Sequence, residues 1–282
     1  MNPVPVLRPM TDEDVPGAHR VMAAAFAELE QRTHEPPDAA AAYVRFRRIL
    51  ATDPGGCWVA EDEAGLAGAA LALVREGVWG LSLLVVRPDA QSGGIGRELL
   101  ARALAHGDGA AGAIILASPD PRALRSYARA GFALHPTLTA TGPPRARIGC
   151  ADVRPFEPGD HELAARVDRH VRGAVHGADL DALAEGGCEL LVLPERGYAV
   201  HRDGSVKTIA ALDDEAAGAL LRSVLARVPP GGSAEIAWIG SAQQWAVEVA
   251  VQAGLELRPN GAVCLRGDVG PFRPYLPGGA YL

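Results

Sequence analysis

Apolar and polar positions along the chain divide it into short strands and amphipathic helices. VPVLRP predicts a strand, and Thr11 with Asp14 makes a capping-box-like start for a helix over residues 12–30. The polar segment EQRTHEPPDAA separates this from a second helix near residues 38–51. GCWVAEDEAGLAGAALALV reads as a hairpin turning at Glu63 to Gly65, and VWGLSLLVV as a strand running into a glycine-rich turn. Beyond the turn, Ile95, Leu99 and Ala103, flanked by Leu100 and Leu104, recur at helical spacing as far as Gly107. AIILAS predicts another strand. Asp120 at an N-cap, Pro121 at the first helical position and Gly131 past the end bracket the next helix. FALHPTLTAT closes the series as strands.

TGPPRARIG then reads as a linker, setting residues 1–142 as one domain, 143–150 as the connection and 151–282 as a second domain. The second domain repeats the plan in weaker form. DVRPFEPGDH echoes VLRPMTDEDV; CELLVL, GYAVHRD and SVKTIAAL predict three strands. A helix over 215–228 puts Ala216, Leu220, Leu221, Val224, Leu225 and Val228 on one face. The Ala-Gly pair ending at Gly131 recurs at Gly254, an offset of 123 (254 − 131), and the same offset carries Ser118 onto Ser241 and Ala123 onto Ala246. The pattern is that of a duplication. The ending FRPYLPGGAYL is too rich in proline for a central strand and is expected along a domain edge or across a domain interface.

Composition narrows the function classes. A hydrophobic fraction of 48% suits packed cores, and a formal net charge of −7 disfavours a general nucleic-acid or anionic-membrane role. The four cysteines, Cys57, Cys150, Cys188 and Cys264, form no C-x-x-C pair, so neither a disulfide framework nor a metal site is expected. No basic-then-apolar leader opens the chain and no apolar run approaches the ~20 residues a membrane span needs, so a cytoplasmic location is expected.

The stretch VVRPDAQSGGIGRELL carries the chemistry. Glycines before a helix let backbone N–H groups approach an anion that the helix start also attracts. A Walker-type loop needs Lys-Ser or Lys-Thr after its last glycine, but Arg97 and Glu98 follow Gly96; a dinucleotide fingerprint needs a glycine where Leu99 stands. The remaining pattern, Gln-x-x-Gly-x-Gly, fits as Gln91, Gly94 and Gly96. It resembles the pyrophosphate loop of the GNAT superfamily of acetyl-CoA-dependent N-acyltransferases. The element order of residues 1–142 is the GNAT order, and the whole chain resembles tandem-GNAT proteins of the actinobacterial type. The fold class implied is α+β, two tandem GNAT-like domains, each with a mixed, mostly antiparallel sheet flanked by helices.

The resemblance also implies roles. Leu84, Val85 and Val86 would pair with the pantetheine arm of acetyl-CoA, and the backbone N–H groups of Gln91, Ser92, Gly93, Gly94, Ile95, Gly96 and Arg97 would hold its pyrophosphate. Tyr127, in DPRALRSYARAGF, matches the family tyrosine that protonates the departing thiolate, and Asp120 stands where the family has asparagine. Tyr127 reads alternatively as an aromatic packed between helix and sheet. Glu28, Glu30 and Glu35 fall in the segment that lines the acceptor side in this family. Trp79 reads as a pocket wall or as core. The acceptor would be an amine of a small molecule or peptide, with no metal, no nucleic acid and no membrane involved, in a monomer or homodimer.

The second half lacks these features. Its strand runs into AALDDEAAGALL, where Asp213, Asp214 and Glu215 stand at the helix start and would repel a pyrophosphate. The offset of 123 carries Tyr127 onto Ala250, which has no proton to give. The first domain is therefore expected to work and the second to pack, shape the acceptor cleft or add stability. A catalytically silent acyl-CoA-binding sensor, and an acyltransferase for longer chains, are the competing readings.

Overall fold

The computed structural model describes residues 5–30, 39–145 and 152–282; the side chains of residues 29 and 30 lie outside the description. The first half runs β1 (Val6–Pro9), α1 (Val15–Glu30), α2 (Ala39–Thr52), β2 (Cys57–Asp62), β3 (Gly65–Arg75), β4 (Val78–Val86), α3 (Ile95–Ala105), β5 (Gly112–Ala117), α4 (Pro121–Arg129) and β6 (Ala133–Gly142). The second half repeats that order: β7 (Arg154–Pro155), α5 (His161–Arg172), α6 (Asp179–Glu185), β8 (Glu189–Leu193), β9 (Gly197–Arg202), β10 (Ser205–Ala211), α7 (Asp214–Ala226), β11 (Ala234–Ile239), α8 (Gln244–Gln252) and β12 (Glu256–Gly267). A short β13 (Tyr275–Leu276) is appended.

Local bonding repeats with the order. Arg8 grips Asp14 with two guanidinium nitrogens at 2.7 and 2.8 Å, and Arg154 grips Asp160 at 2.8 and 2.8 Å. In each case that aspartate also accepts the amide three residues upstream, Thr11 or Glu157, at 2.8 Å. The ends of α4 and α8 match as well. Phe132 N donates to Tyr127 O at 3.1 Å, and Leu255 N donates to Ala250 O at 3.0 Å. Gly131 and Gly254 take the left-handed conformation that closes such a helix end, at φ 85° and 74°.

Compact units do not follow the two halves. They are Met1–Ala110 with Tyr281, and Ala111–Ala280 with Leu282. In the first unit β1, β2, β3 and β4 pair antiparallel in that order. Helix α3 lies close on β3 because Gly68 leaves room: a Cβ there would come within 2.9 Å of Leu99 Cδ1. Phe46, Ile49, Leu71, Leu73, Trp79 and Leu99 fill the core beneath.

In the second unit the strand order is β5-β12-β6-β11-β10-β9-β8-β7. The last strand of the second half, β12, lies antiparallel between β5 and β6, and β6 in turn pairs antiparallel with β11. Each half thus completes its sheet with the final strand of the other. FALHPTLTAT accordingly supplies one strand, not several. The predicted stripe of α7 is buried throughout, in a core with Ile209, Ile236, Trp245 and Val249. The proline-rich ending enters the sheet after all: Tyr275 and Leu276 pair with Ala210 and Ile209. Only two residues pair, so the flanking prolines cost the ladder nothing.

Candidate functional site

The glycine-rich turn is framed from both sides. Arg87, at its entrance, donates to Asp89 at 2.6 Å and Asp62 at 2.8 Å, and its amide donates to Ala67 O at 2.8 Å. Gln91 closes the frame by donating from Nε2 to Val86 O and to Glu28 Oε2, both at 3.2 Å. The first residue of the motif therefore ties strand end, loop and α1 together. Ser92 holds a left-handed φ of 68°, a conformation that costs a non-glycine residue about 1–3 kcal/mol and collects at functional loops.

At the start of α3 the N-cap is Gly94, at φ 91° and ψ −6°, with no side chain capping the helix. Arg97 N and Glu98 N bond back to Gly94 O at 3.0 and 3.2 Å, whereas the amides of Ile95 and Gly96 precede any helical acceptor. The left-handed φ explains Gly94. Among the described residues no close contact explains the other two glycines. A Cβ at Gly93 would meet its nearest neighbour, Ala90 O, at 3.8 Å, and one at Gly96 would meet Val86 Cγ2 at 3.5 Å, both ordinary contacts. The backbone is bare where the protein's own packing would tolerate a side chain, so the cradle fits a group approaching from outside.

Leu84, Val85 and Val86 end β4, paired with Ala70, Ala69 and Gly68. Leu84 and Val86 are half-buried and Val85 is buried. Ile95 is buried under the loop, while Ser92, Gly93 and Arg97 are exposed. Trp79 is 1% exposed, donates from Nε1 to Ala103 O at 2.9 Å and lies against Gly107, so it packs in the core. Glu28 is exposed and engaged with Gln91. The side chain of Glu30, and Glu35, lie outside the described residues.

Tyr127 and Asp120 belong to the second unit. Tyr127 is 5% exposed; burial, reinforced by Cys264 and Asp120, pushes its hydroxyl above the usual tyrosine range. It is a neutral phenol at physiological pH, a group that can give a proton. Asp120 caps α4 by accepting Arg122 N at 2.8 Å and pairs with the Arg122 guanidinium at 2.9 Å. Burial works to raise its carboxyl, but Arg122 and the helix amides outweigh it and hold the group below its usual range. Asp120 serves the helix.

The corresponding helix start in the second half is closed. Asp213 accepts Ala216 N at 2.8 Å and so caps α7 itself. Arg196 spans Asp213 at 2.7 Å and Glu215 at 2.8 Å, and Arg273 pairs with Asp214 at 2.5 Å. The expected repulsion by three bare carboxylates is therefore corrected: two arginines neutralise most of it, and occupancy does the rest. The strand that leads into them, β10, pairs with β11 at one position only, Ser205 with Glu235 at its far end. Nearer the acids, β13 pairs with β10 at Ala210 and Ile209, Thr208 Oγ1 donates to Leu276 O at 2.9 Å, and Ala211 N to Pro274 O at 3.3 Å. Because β9 holds the other edge of β10, the chain's own tail takes the edge where β11 has splayed away. Ala250, the counterpart of Tyr127, is fully buried in the α7–α8 core.

Arg87, Arg196 and Arg273 were not singled out in the sequence. Arg87 had a local signal, the Arg-Pro-Asp spacing at 87–89, whereas Arg273 reaches a partner 59 residues away. Among the described residues no helix is long and apolar enough to cross a membrane, and no group of three or more His, Cys, Asp or Glu is placed to hold a metal ion. Cys57, Cys188 and Cys264 are free thiols; Cys150 lies outside the described residues.

Residues 23–132 match the model of the Acetyltransferase (GNAT) family. No curated protein matches the chain. Among solved structures, a candidate acetyltransferase of Pyrococcus horikoshii is 17% identical, with a TM-score of 0.79 over 99% of this chain and 96% of that one. A tandem GNAT protein from the clavulanic acid biosynthesis pathway is 14% identical, with a TM-score of 0.60 over 93% and 98%. A GCN5-related N-acetyltransferase of Sphaerobacter thermophilus is 16% identical, with a TM-score of 0.59 over 93% and 95%. At these identities the likeness is one of fold.

Proposed function

From a chain whose residues 23–132 match the Acetyltransferase (GNAT) family, we propose an N-acetyltransferase that moves acetyl from acetyl-CoA to an amine of a small molecule or peptide by direct attack. One observation carries this reading: Gly93 and Gly96 stay bare at a helix start where a Cβ would fit. The donor, when bound, supplies an activated thioester. The amides of Gln91 to Arg97 would hold its pyrophosphate, with the α3 start adding partial positive charge. Leu84 to Val86 would align the pantetheine arm by backbone hydrogen bonds. Tyr127, kept protonated by burial, would give its proton to the departing sulfur. Glu28, exposed beside Gln91, would draw a cationic amine toward the loop.

On this reading residues 1–142 form the acyl-donor copy, 143–150 the linker and 151–282 a copy that binds no donor. The test is thiol release from acetyl-CoA over a panel of amines, beside calorimetric binding of CoA. Turnover on any amine supports the enzyme. Tight CoA binding with no turnover on the panel replaces it with an acyl-CoA-binding sensor.

A further inference from the structure

We propose that Lys207 is an acyl acceptor within the chain itself, reached through the thiol of Cys188. Lys207 is the only lysine in the sequence. It is the extra residue of a β-bulge: Val206 pairs with His201 and Thr208 with Val200, leaving Lys207 to be re-aimed. Its Nζ donates to Ser205 Oγ at 3.0 Å, and among the described residues it makes no ion pair. An amine that is half-buried and met by a neutral hydroxyl, not a carboxylate, is set up for its uncharged form. Burial, with Arg202 adding to it, holds the ammonium below its usual range.

The neighbours form a row across the sheet. Ser205 pairs with Arg202 on one side and with Glu235 on the other. Glu189 pairs with His201, so Cys188, one residue earlier, stands beside Arg202 on the Ser205 face. The row Cys188–Arg202–Ser205 spans two strand spacings, about 10 Å between its outer backbones, and Lys207 lies two residues beyond Ser205 with its Nζ turned back to the Ser205 hydroxyl. Burial pushes the Cys188 thiol above its usual range, with Lys207 working against it, and both side chains are partly open to solvent.

Transfer takes two steps. Cys188 Sγ attacks the carbonyl of an acyl-CoA thioester; a new C–S bond forms, and the CoA sulfur leaves with the thiol proton. Lys207 Nζ then attacks the Cys188 thioester; C–N forms, C–S breaks, and an amine proton returns to Sγ. The products are free CoA thiol and an amide, and no oxidant or reductant is needed. Only the identity of the donor rests on the function proposed above.

The test incubates the full-length protein with acetyl-CoA bearing a deuterated acetyl group, without added amine, and maps peptides by mass spectrometry. The expected result is one hydroxylamine-resistant label at Lys207, formed at least about tenfold more slowly in Cys188→Ser, since the relay supplies proximity. Lys207→Arg should instead accumulate hydroxylamine-labile label on Cys188. No label at Lys207 in the folded protein, or equal labelling in Cys188→Ser, overturns the proposal. Tyr127→Phe separates the two readings: it should lower turnover of external amines by about 10²–10⁴-fold and leave Lys207 labelling intact.

Discussion

The starts of α3 and α7 hold equivalent places in the two halves, and they solve the same problem in opposite ways. Every helix begins with amides that its own carbonyls cannot reach. At α7 the Asp213 carboxylate takes one of them, and Arg196 and Arg273 neutralise the acids around it. At α3 a left-handed glycine provides the turn and no side chain closes it. The α7 solution is complete within the protein; the α3 start, on the function proposed above, is completed by an external anion. A duplication explains how both coexist. On the proposed reading one copy keeps the donor site, while the other spends the equivalent helix start on its own cap and carries the tail strand β13 on the edge of β10.

The largest expected effect is on the proton donor. Tyr127→Phe should lower kcat by about 10²–10⁴-fold with little change in the affinity for acetyl-CoA. Ala250 offers no equivalent group to compensate. The pH profile sharpens the same point. Burial raises the Tyr127 pKa, so its protonated form persists through the alkaline range, and activity should show no falling limb below about pH 10. A falling limb near neutrality would assign the acid to another group.

Next in size is a substitution that should split stability from binding. Gly96→Ala places a methyl in ordinary contact with Val86 on a helix, which should stabilise the fold by up to about 1 kcal/mol. The same methyl should weaken acetyl-CoA binding by about tenfold or more, because it stands where the diphosphate would approach the amides. Loss of both, or of neither, would break the contrast between the two helix starts.

Smaller effects are expected from the closed site. Asp213→Ala removes a cap and should cost about 1 kcal/mol in denaturant unfolding. It should create no second acetyl-CoA site, because β13 still lies on β10. The paired Arg8–Asp14 and Arg154–Asp160 bonds give a matched control. Arg8 and Arg154 hold these carboxyls below their usual range. Their stabilisation is present above about pH 4, the usual carboxylate value, and is lost as pH falls through the lower folded pKa. Asp14→Asn and Asp160→Asn should therefore weaken the protein at pH 7 by similar amounts, about 1–3 kcal/mol, and matter less in acid.

Much of this was legible in the sequence, for identifiable reasons. Helix α4 carries its own punctuation in Asp120, Pro121 and Gly131, and the stripe of α7 has an unbroken helical period, so both were placed from local residues. The glycine turn was legible because its constraint is local. Three features were not. The exchange of β6 and β12 depends on pairing between residues more than a hundred positions apart. Trp79 reads equally as wall or core until Ala103 and Gly107 are seen against it. Arg273, lodged among prolines, gives no sign that it reaches Asp214. The acids of α7 were found, but their partners were not, and this turned an argument from repulsion into one from occupancy.

The central claim is that the α3 start accepts the donor's diphosphate and the α7 start is already full. A co-crystal structure with acetyl-CoA tests it most directly. The expected density places the diphosphate against the amides of Gly94, Ile95 and Gly96, with β13 undisturbed on β10. Density at Asp213 and Ala216 with the α3 start empty would contradict it.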